Sequence, residues 1–146
     1  MNLELVYSIA NLLVLPAWVA MLFRPSWRFG SDVLAPVITP ALMAVLYTGF
    51  LVSTIVSPGP GSFGSLAGLS QMFSADAAML TGWLHYLVTD VFIGAWALRE
   101  SRRLGIRHGV MVPVLLLLLM MLPVGMLVYF GVRARHTGFA VTAGRG

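Results

Sequence analysis

The stretch AAMLTGWLHYLVTDVFIGAWAL, residues 77–98, decides how this chain is read. As a helix it is long enough to cross a hydrocarbon core of about 30 Å, yet it carries His85 and Asp90 well inside it. Working outward, three more apolar stretches of spanning length lie at 3–23, 35–56 and 110–132. The expected fold is all-α, a single integral membrane domain over 1–146 with four transmembrane helices and a tail at 133–146. Composition agrees, with 59% hydrophobic and 10% charged residues, whereas soluble domains carry about 25% charged residues. No polar region is long enough to be a separate soluble catalytic domain, so any chemistry takes place in or at the bilayer. The absence of cysteine excludes disulfides, thiolate metal sites and thiol nucleophiles.

The connections set the topology. The first stretch has no positive flank before it and is expected to be retained rather than cleaved. Arg24-Pro25-Ser26-Trp27-Arg28 ends it, and Asp32 with Pro36 opens the second. Ser57-Pro58-Gly59-Pro60-Gly61 stops the second stretch. Beyond it Phe63, Leu66, Leu69 and Phe73 recur at roughly helical spacing, which allows a short interfacial helix, or lid, between spans two and three. The net charge of +4 comes from nine arginines without a lysine. Arg24, Arg28, Arg99, Arg102, Arg103 and Arg107 share one side of a four-span bundle, against Arg133, Arg135 and Arg145 on the other. The basic loops 24–32 and 99–109 are therefore expected in the cytoplasm and both termini outside. Arginines at span ends serve topology and lipid headgroups, so membrane lipids are expected partners and nucleic acid is not.

Ionisable groups inside a span face protein or a wet cavity and are functional candidates. At 100° per residue Trp83, Tyr86 and Asp90 share a face, which Gly94 and Ala97 extend with small residues. His85, Thr89 and Trp96 make an adjacent stripe. His85 and Asp90, about 140° apart around the helix, are expected to flank a pocket. A rise of 1.5 Å per residue also places Asn11, Thr48, His85 and Pro123 at one level, about 12–14 Å in, with Tyr47 beside them and Asp90 deeper, level with Pro16. Pro16 and Pro123 each free a carbonyl one turn earlier, on Leu12 and Leu119. No arginine lies at the depth of Asp90, so its carboxyl is expected to be neutral there. Candidate catalytic groups are Asp90 and His85. Candidate ligand contacts are Trp83, Tyr86, Asn11, Thr48, Tyr47, Trp96 and Tyr129. A hydrogen-bonded packing role competes for His85, and belt or packing roles compete for the tryptophans. One buried histidine disfavours a heme pair, the glycine-rich loop at 58–68 lacks the lysine of a phosphate cradle, and no metal or cofactor is expected.

Three segments together resemble the abscisic-acid-deficient-four-like membrane proteins: Phe63-Gly64-Ser65-Leu66 with Phe73; Gly82-Trp83-Leu84-His85-Tyr86 through Asp90, Phe92, Gly94 and Trp96; and Leu122-Pro123-Val124-Gly125 with Tyr129. The resemblance runs from Asn11 and Pro16 to Tyr129. That family includes plant neoxanthin synthase, needed for the isomerisation that opens the epoxide of violaxanthin and leaves an allene. The resemblance implies a carotenoid-like isoprenoid ligand and isomerase chemistry, in which an acid meets the ring oxygen and a base takes a carbon-bound proton. Asp90 would donate and His85 accept. Without a plastid transit extension the chain is expected to be of bacterial type and to sit in the inner membrane. Two alternatives stand beside the enzyme: a non-enzymatic carotenoid- or lipid-binding or assembly protein, and a small proton-coupled transporter. A homo-oligomer is compatible with each.

Overall fold

The computed structural model describes residues 2–57 and 59–137. Among them all regular structure is helical: α1 Leu3–Phe23, α2 Gly30–Val56, α3 Leu66–Met72, α4 Asp76–Arg103, α5 His108–Met120 and α6 Leu122–Thr137. The Asn2 side chain caps α1 by accepting from the Leu5 N–H at 3.2 Å. Helix α2 begins five residues before the apolar run does. Over Gly30–Ile38 it is wound as a π-helix, with the Thr39 N–H donating to the carbonyl of Leu34. Pro36 has no N–H for the ordinary ladder and its ring crowds the carbonyl one turn back, and the wider winding relieves both. Helix α4 outruns its apolar stretch at the C-terminal end, where Arg102 and Arg103 suit the negative end of the helix dipole. It closes in a Schellman motif: Gly105 adopts φ +70°, the Gly105 N–H donates to Arg102 and the Ile106 N–H to Ser101.

The expected interfacial helix is present as α3. The expected fourth span is not one helix. At Met121 the backbone leaves the helical region (φ −150°, ψ 71°), and the chain reverses so tightly that a Cβ on Gly125 would lie 2.5 Å from the backbone nitrogen of Leu118. Helices α5 and α6 thus form an antiparallel hairpin. The level of its tip is marked by the Tyr86 hydroxyl, which donates to the carbonyl of Met120 at 3.3 Å. From there α6 runs back down α4, with Tyr129 edge-on to Trp96 (5.3 Å between centroids) and Arg133 3.7 Å from Glu100. Pro123, which cannot supply an N–H, and Gly125, which has no side chain to obstruct the crossing, make the reversal possible.

This corrects the expected topology. The C-terminal end of α6 lies with the basic loops, not with the N-terminus. Arg133 and Arg135 join Arg24, Arg28, Arg99, Arg102, Arg103 and Arg107 at one end of the molecule, while Glu4 and Asp76 lie at the other. Arg145 and the tail beyond Thr137 fall outside the described residues. The basic end is cross-braced: Arg102 pairs with Asp32 and donates to the Pro25 carbonyl at 3.2 Å and the Ser31 hydroxyl at 3.3 Å, and His108 Nε2 meets the Leu22 carbonyl at 2.9 Å. Among the described residues two helices, α1 and α2, are long and apolar enough to cross a membrane. Helix α4 has the length but is more polar, and α5 and α6, at 13 and 16 residues, are each shorter than a crossing needs.

The core sits where α1, α2 and α5 meet α4. Trp18 and Met21 of α1 pack over Gly94, where a Cβ would come within 2.7 Å of the indole, and Met43, Leu84, Val91, Leu98, Met111 and Leu115 fill the remainder.

Candidate functional site

At the end away from the arginines, a recess of about 670 Å³ lies between the second half of α2, the connection with α3, and the first half of α4. Its walls are mostly apolar, among them Leu51, Ile55, Phe63, Met72, Phe73 and Ala78. Glycines let its outer wall close. Gly61, at φ +107°, runs directly against the α3 backbone at Gly68 and Met72, and Gly82 leaves room for the Phe73 ring, which a Cβ would meet at 2.8 Å. The Ser62 N–H donates to the Gly68 carbonyl at 3.1 Å, and the Ser65 hydroxyl caps α3 by accepting from the Gly68 N–H at 3.0 Å.

Two polar rings stand at the inner end of the recess. Tyr47 and His85 face each other with centroids 5.5 Å apart. Thr54 and Thr81 also line it, but their hydroxyls donate to carbonyls of their own helices, Leu51 and Ala77, at 2.8 and 2.7 Å. Among the described residues neither the Tyr47 hydroxyl nor the His85 ring makes a hydrogen bond, the Thr89 hydroxyl donating only to the His85 backbone carbonyl, so these two side chains are left to meet a ligand. An apolar recess of a few hundred Å³ with few convergent polar groups has the form of a small-molecule site.

Asp90 is not among the residues that line the recess. It is 1% exposed and its Oδ1 has no partner among the described residues. Tyr86, one turn earlier, places its hydroxyl beside the carboxyl and donates a hydrogen bond to the Met120 carbonyl, which the hairpin reversal has released. Trp83 stacks on Tyr86 at 5.5 Å and touches Tyr7 at 5.8 Å. Trp83, Tyr86 and Asp90 thus form one column behind α4, and His85 stands on another side of the helix.

The level shared by Asn11, Thr48 and His85 does not become a shared network. Asn11 donates to the Tyr7 carbonyl and Thr48 to the Ala44 carbonyl, each at 2.7 Å and each within its own helix. Trp96 and Tyr129 pack together near the basic end, away from the recess. Asp90→Asn preserves volume and hydrogen bonding, and it is expected to leave any ligand retained by the recess unchanged within a factor of about two. Co-purified ligand per mole of protein measures this, and a well-folded Asp90→Asn protein that loses its ligand would show that the carboxyl reaches the site.

A family profile described as ABA DEFICIENT 4-like matches residues 5–129. The chain belongs to that family. Over 138 residues it is 25% identical to Protein ABA DEFICIENT 4, chloroplastic, of Arabidopsis thaliana, an alignment that covers 88% of this chain and 60% of that protein. The chain therefore spans 60% of the length of this relative. No solved structure matches. The family match takes in every wall of the recess and the turn of the hairpin. Thr54, Thr81 and Gly61 also line the recess, though no sequence motif marks them; the spacing of Gly61, Gly68 and Gly82 is the available sign that a connection lies close against a helix.

Proposed function

We propose that this ABA DEFICIENT 4-like protein is a multi-pass membrane protein that holds the ring end of a long isoprenoid, of carotenoid type, in the recess between α2, α3 and α4. The recess carries the reading: it is apolar, takes a terminal ring and the first part of a chain at about 670 Å³, and holds two unpartnered polar rings at its inner end. The remainder of a polyene lies along exposed apolar side chains of α2 such as Val52 and Ile55. Helices α1, α2 and α4 cross the bilayer, and the α5–α6 hairpin enters from the basic end. With eight arginines, that end faces the cytoplasm of a bacterial cell and the recess opens toward the other side.

Where the bound ring carries an epoxide, His85 takes a carbon-bound proton, the carbon–oxygen bond opens, and the Tyr47 hydroxyl gives its proton to the ring oxygen. His85 then returns its proton to Tyr47, the product is an isomer, and no oxidant is consumed. One observation favours a holder without catalysis: Asp90, the acid the sequence offers for this step, stands outside the recess.

Protein purified from a carotenoid-producing host tests both readings through the absorption spectrum and mass of the bound pigment. Gly82→Phe, which fills the recess, is expected to lower pigment content about tenfold or more, since the closed site forfeits a buried ring. Retention at the wild-type level would place the ligand elsewhere. His85→Gln is expected to keep the pigment and slow conversion by about 10²–10⁴-fold. A wild-type protein that leaves its pigment unchanged on prolonged incubation is a holder, not an isomerase.

A further inference from the structure

A second recess lies at the opposite end of α4 and belongs to no part of the reading above. It holds about 120 Å³ between Pro36 of the π-wound start of α2 and one face of α4 formed by Phe92, Trp96, Arg99 and Arg103, with Glu100 at its edge. The spacing of four, three and four keeps these four residues on one helical face. Their order along the helix is chemical as well: an exposed phenyl ring (53%), then a half-exposed indole (41%), then two guanidiniums toward the helix end. Neither guanidinium has an ion-pair partner among the described residues, because Arg102 takes Asp32 and Arg133 takes Glu100. The Arg102 clamp on Asp32, Ser31 and Pro25 holds the π-wound segment, and with it Pro36, against α4.

We infer that this cleft is a binding site for one anionic phospholipid, its phosphate held by Arg99 and Arg103, its glycerol region against Trp96, and the start of an acyl chain between Pro36 and Phe92. Indole at headgroup depth with arginine just beyond it matches the layering of a bilayer leaflet, and two free guanidiniums complement a phosphodiester. The inference rests on the membrane reading but not on the isoprenoid recess.

The test uses the full chain in detergent micelles, titrated with dioctanoyl-phosphatidylglycerol, with dioctanoyl-phosphatidylcholine, or with inorganic phosphate, and native mass spectrometry counts the retained adducts. One phosphatidylglycerol per chain, preferred over phosphatidylcholine, is expected. Arg99→Gln with Arg103→Gln is expected to weaken it about 30-fold, and Arg99→Gln alone about fivefold. Arg28→Gln with Arg135→Gln, the same charge change outside the cleft, is expected to leave binding unchanged. Equal loss in both double variants would reduce the effect to general charge attraction and overturn the site, and inorganic phosphate that displaces the lipid at equal concentration would overturn the lipid in favour of a free anion. Sedimentation with phosphatidylglycerol–phosphatidylcholine vesicles separates the two levels of the argument. A chain that stays with the vesicles but shows no lipid preference refutes only this site, whereas one that does not sediment refutes the membrane reading too.

Discussion

A cysteine at position 136 is expected to react from the same side of the membrane as one at 107, and from the opposite side to one at 70. The chain has no native cysteine, so each introduced thiol is read without background. Position 136 lies in the last turn of α6, position 107 immediately precedes α5, and position 70 is an exposed site on α3. The contacts of Tyr129 with Trp96 and of Arg133 with Glu100 bring the end of α6 back to the level of the basic loops. Had 110–132 formed one crossing helix, position 136 would label with position 70. The result is all-or-none, and an impermeant maleimide applied to intact cells or spheroplasts distinguishes the two arrangements. Reaction of positions 136 and 70 from one side would falsify the hairpin.

Gly125→Leu is expected to be the most damaging single substitution in the second half of the chain. Its Cβ would lie 2.5 Å from the Leu118 nitrogen, 2.7 Å from the Leu118 Cα and 2.8 Å from the Leu117 carbonyl carbon. All three are backbone atoms, so no side-chain rotation relieves the clash and α6 must move off α5. Overpacking a side chain costs about 1–3 kcal/mol, and against backbone the expected cost is about 3 kcal/mol or more. Gly131 of the same helix provides the opposite sign, because a Cβ there meets nothing within 4 Å. Gly131→Ala is expected to stabilise by about 0.5–1 kcal/mol through helix propensity alone. Thermal melting in detergent measures both; a Gly125→Leu protein as stable as the wild type would remove the close crossing of α5 and α6.

The α5–α6 hairpin is the part of the fold that the sequence conceals. Helix α1 coincides with the apolar run 3–23, because a run bounded by Asn2 and by Arg24-Pro25 has both of its ends written locally. The end of α2 at Val56 is equally local. The reversal at Met121 is not. A hydropathy window passes over Met121-Leu122-Pro123-Val124-Gly125 as uniformly apolar, and Pro123 there marks a break without saying whether the chain bends slightly or turns back. What decides is contact with α4, through Tyr86, Trp96 and Glu100, and that lies in tertiary structure.

The site divides in the same way. His85 and Tyr47 are polar rings in apolar stretches, and the structure brings them together, tilted by 54° with centroids 5.5 Å apart. Asp90 stood out by the same rule, yet helical spacing alone cannot say which neighbouring element covers a face. Here α2 and the α3 connection cover His85, whereas Asp90 is buried on another side beside Tyr86, near the hairpin tip. The recess itself depends on a connection whose closure is set by three glycines, and connections carry little periodicity to read.

The hairpin also gives the molecule unequal cross-sections. Among the described residues, a plane across the bundle near the basic end cuts five helical segments, whereas beyond the hairpin tip the long helices are α1, α2 and α4, joined only by the seven-residue α3. Each helix with its side chains is about 10 Å across, so in a bilayer the protein occupies substantially more lateral area in one leaflet than in the other. A body of that wedge shape relieves packing stress where the leaflet on the arginine side is stretched, as on the convex face of a bend. In vesicles of graded diameter the protein would therefore concentrate in the small ones when inserted with its basic end outward, and in flat membranes when inserted the other way.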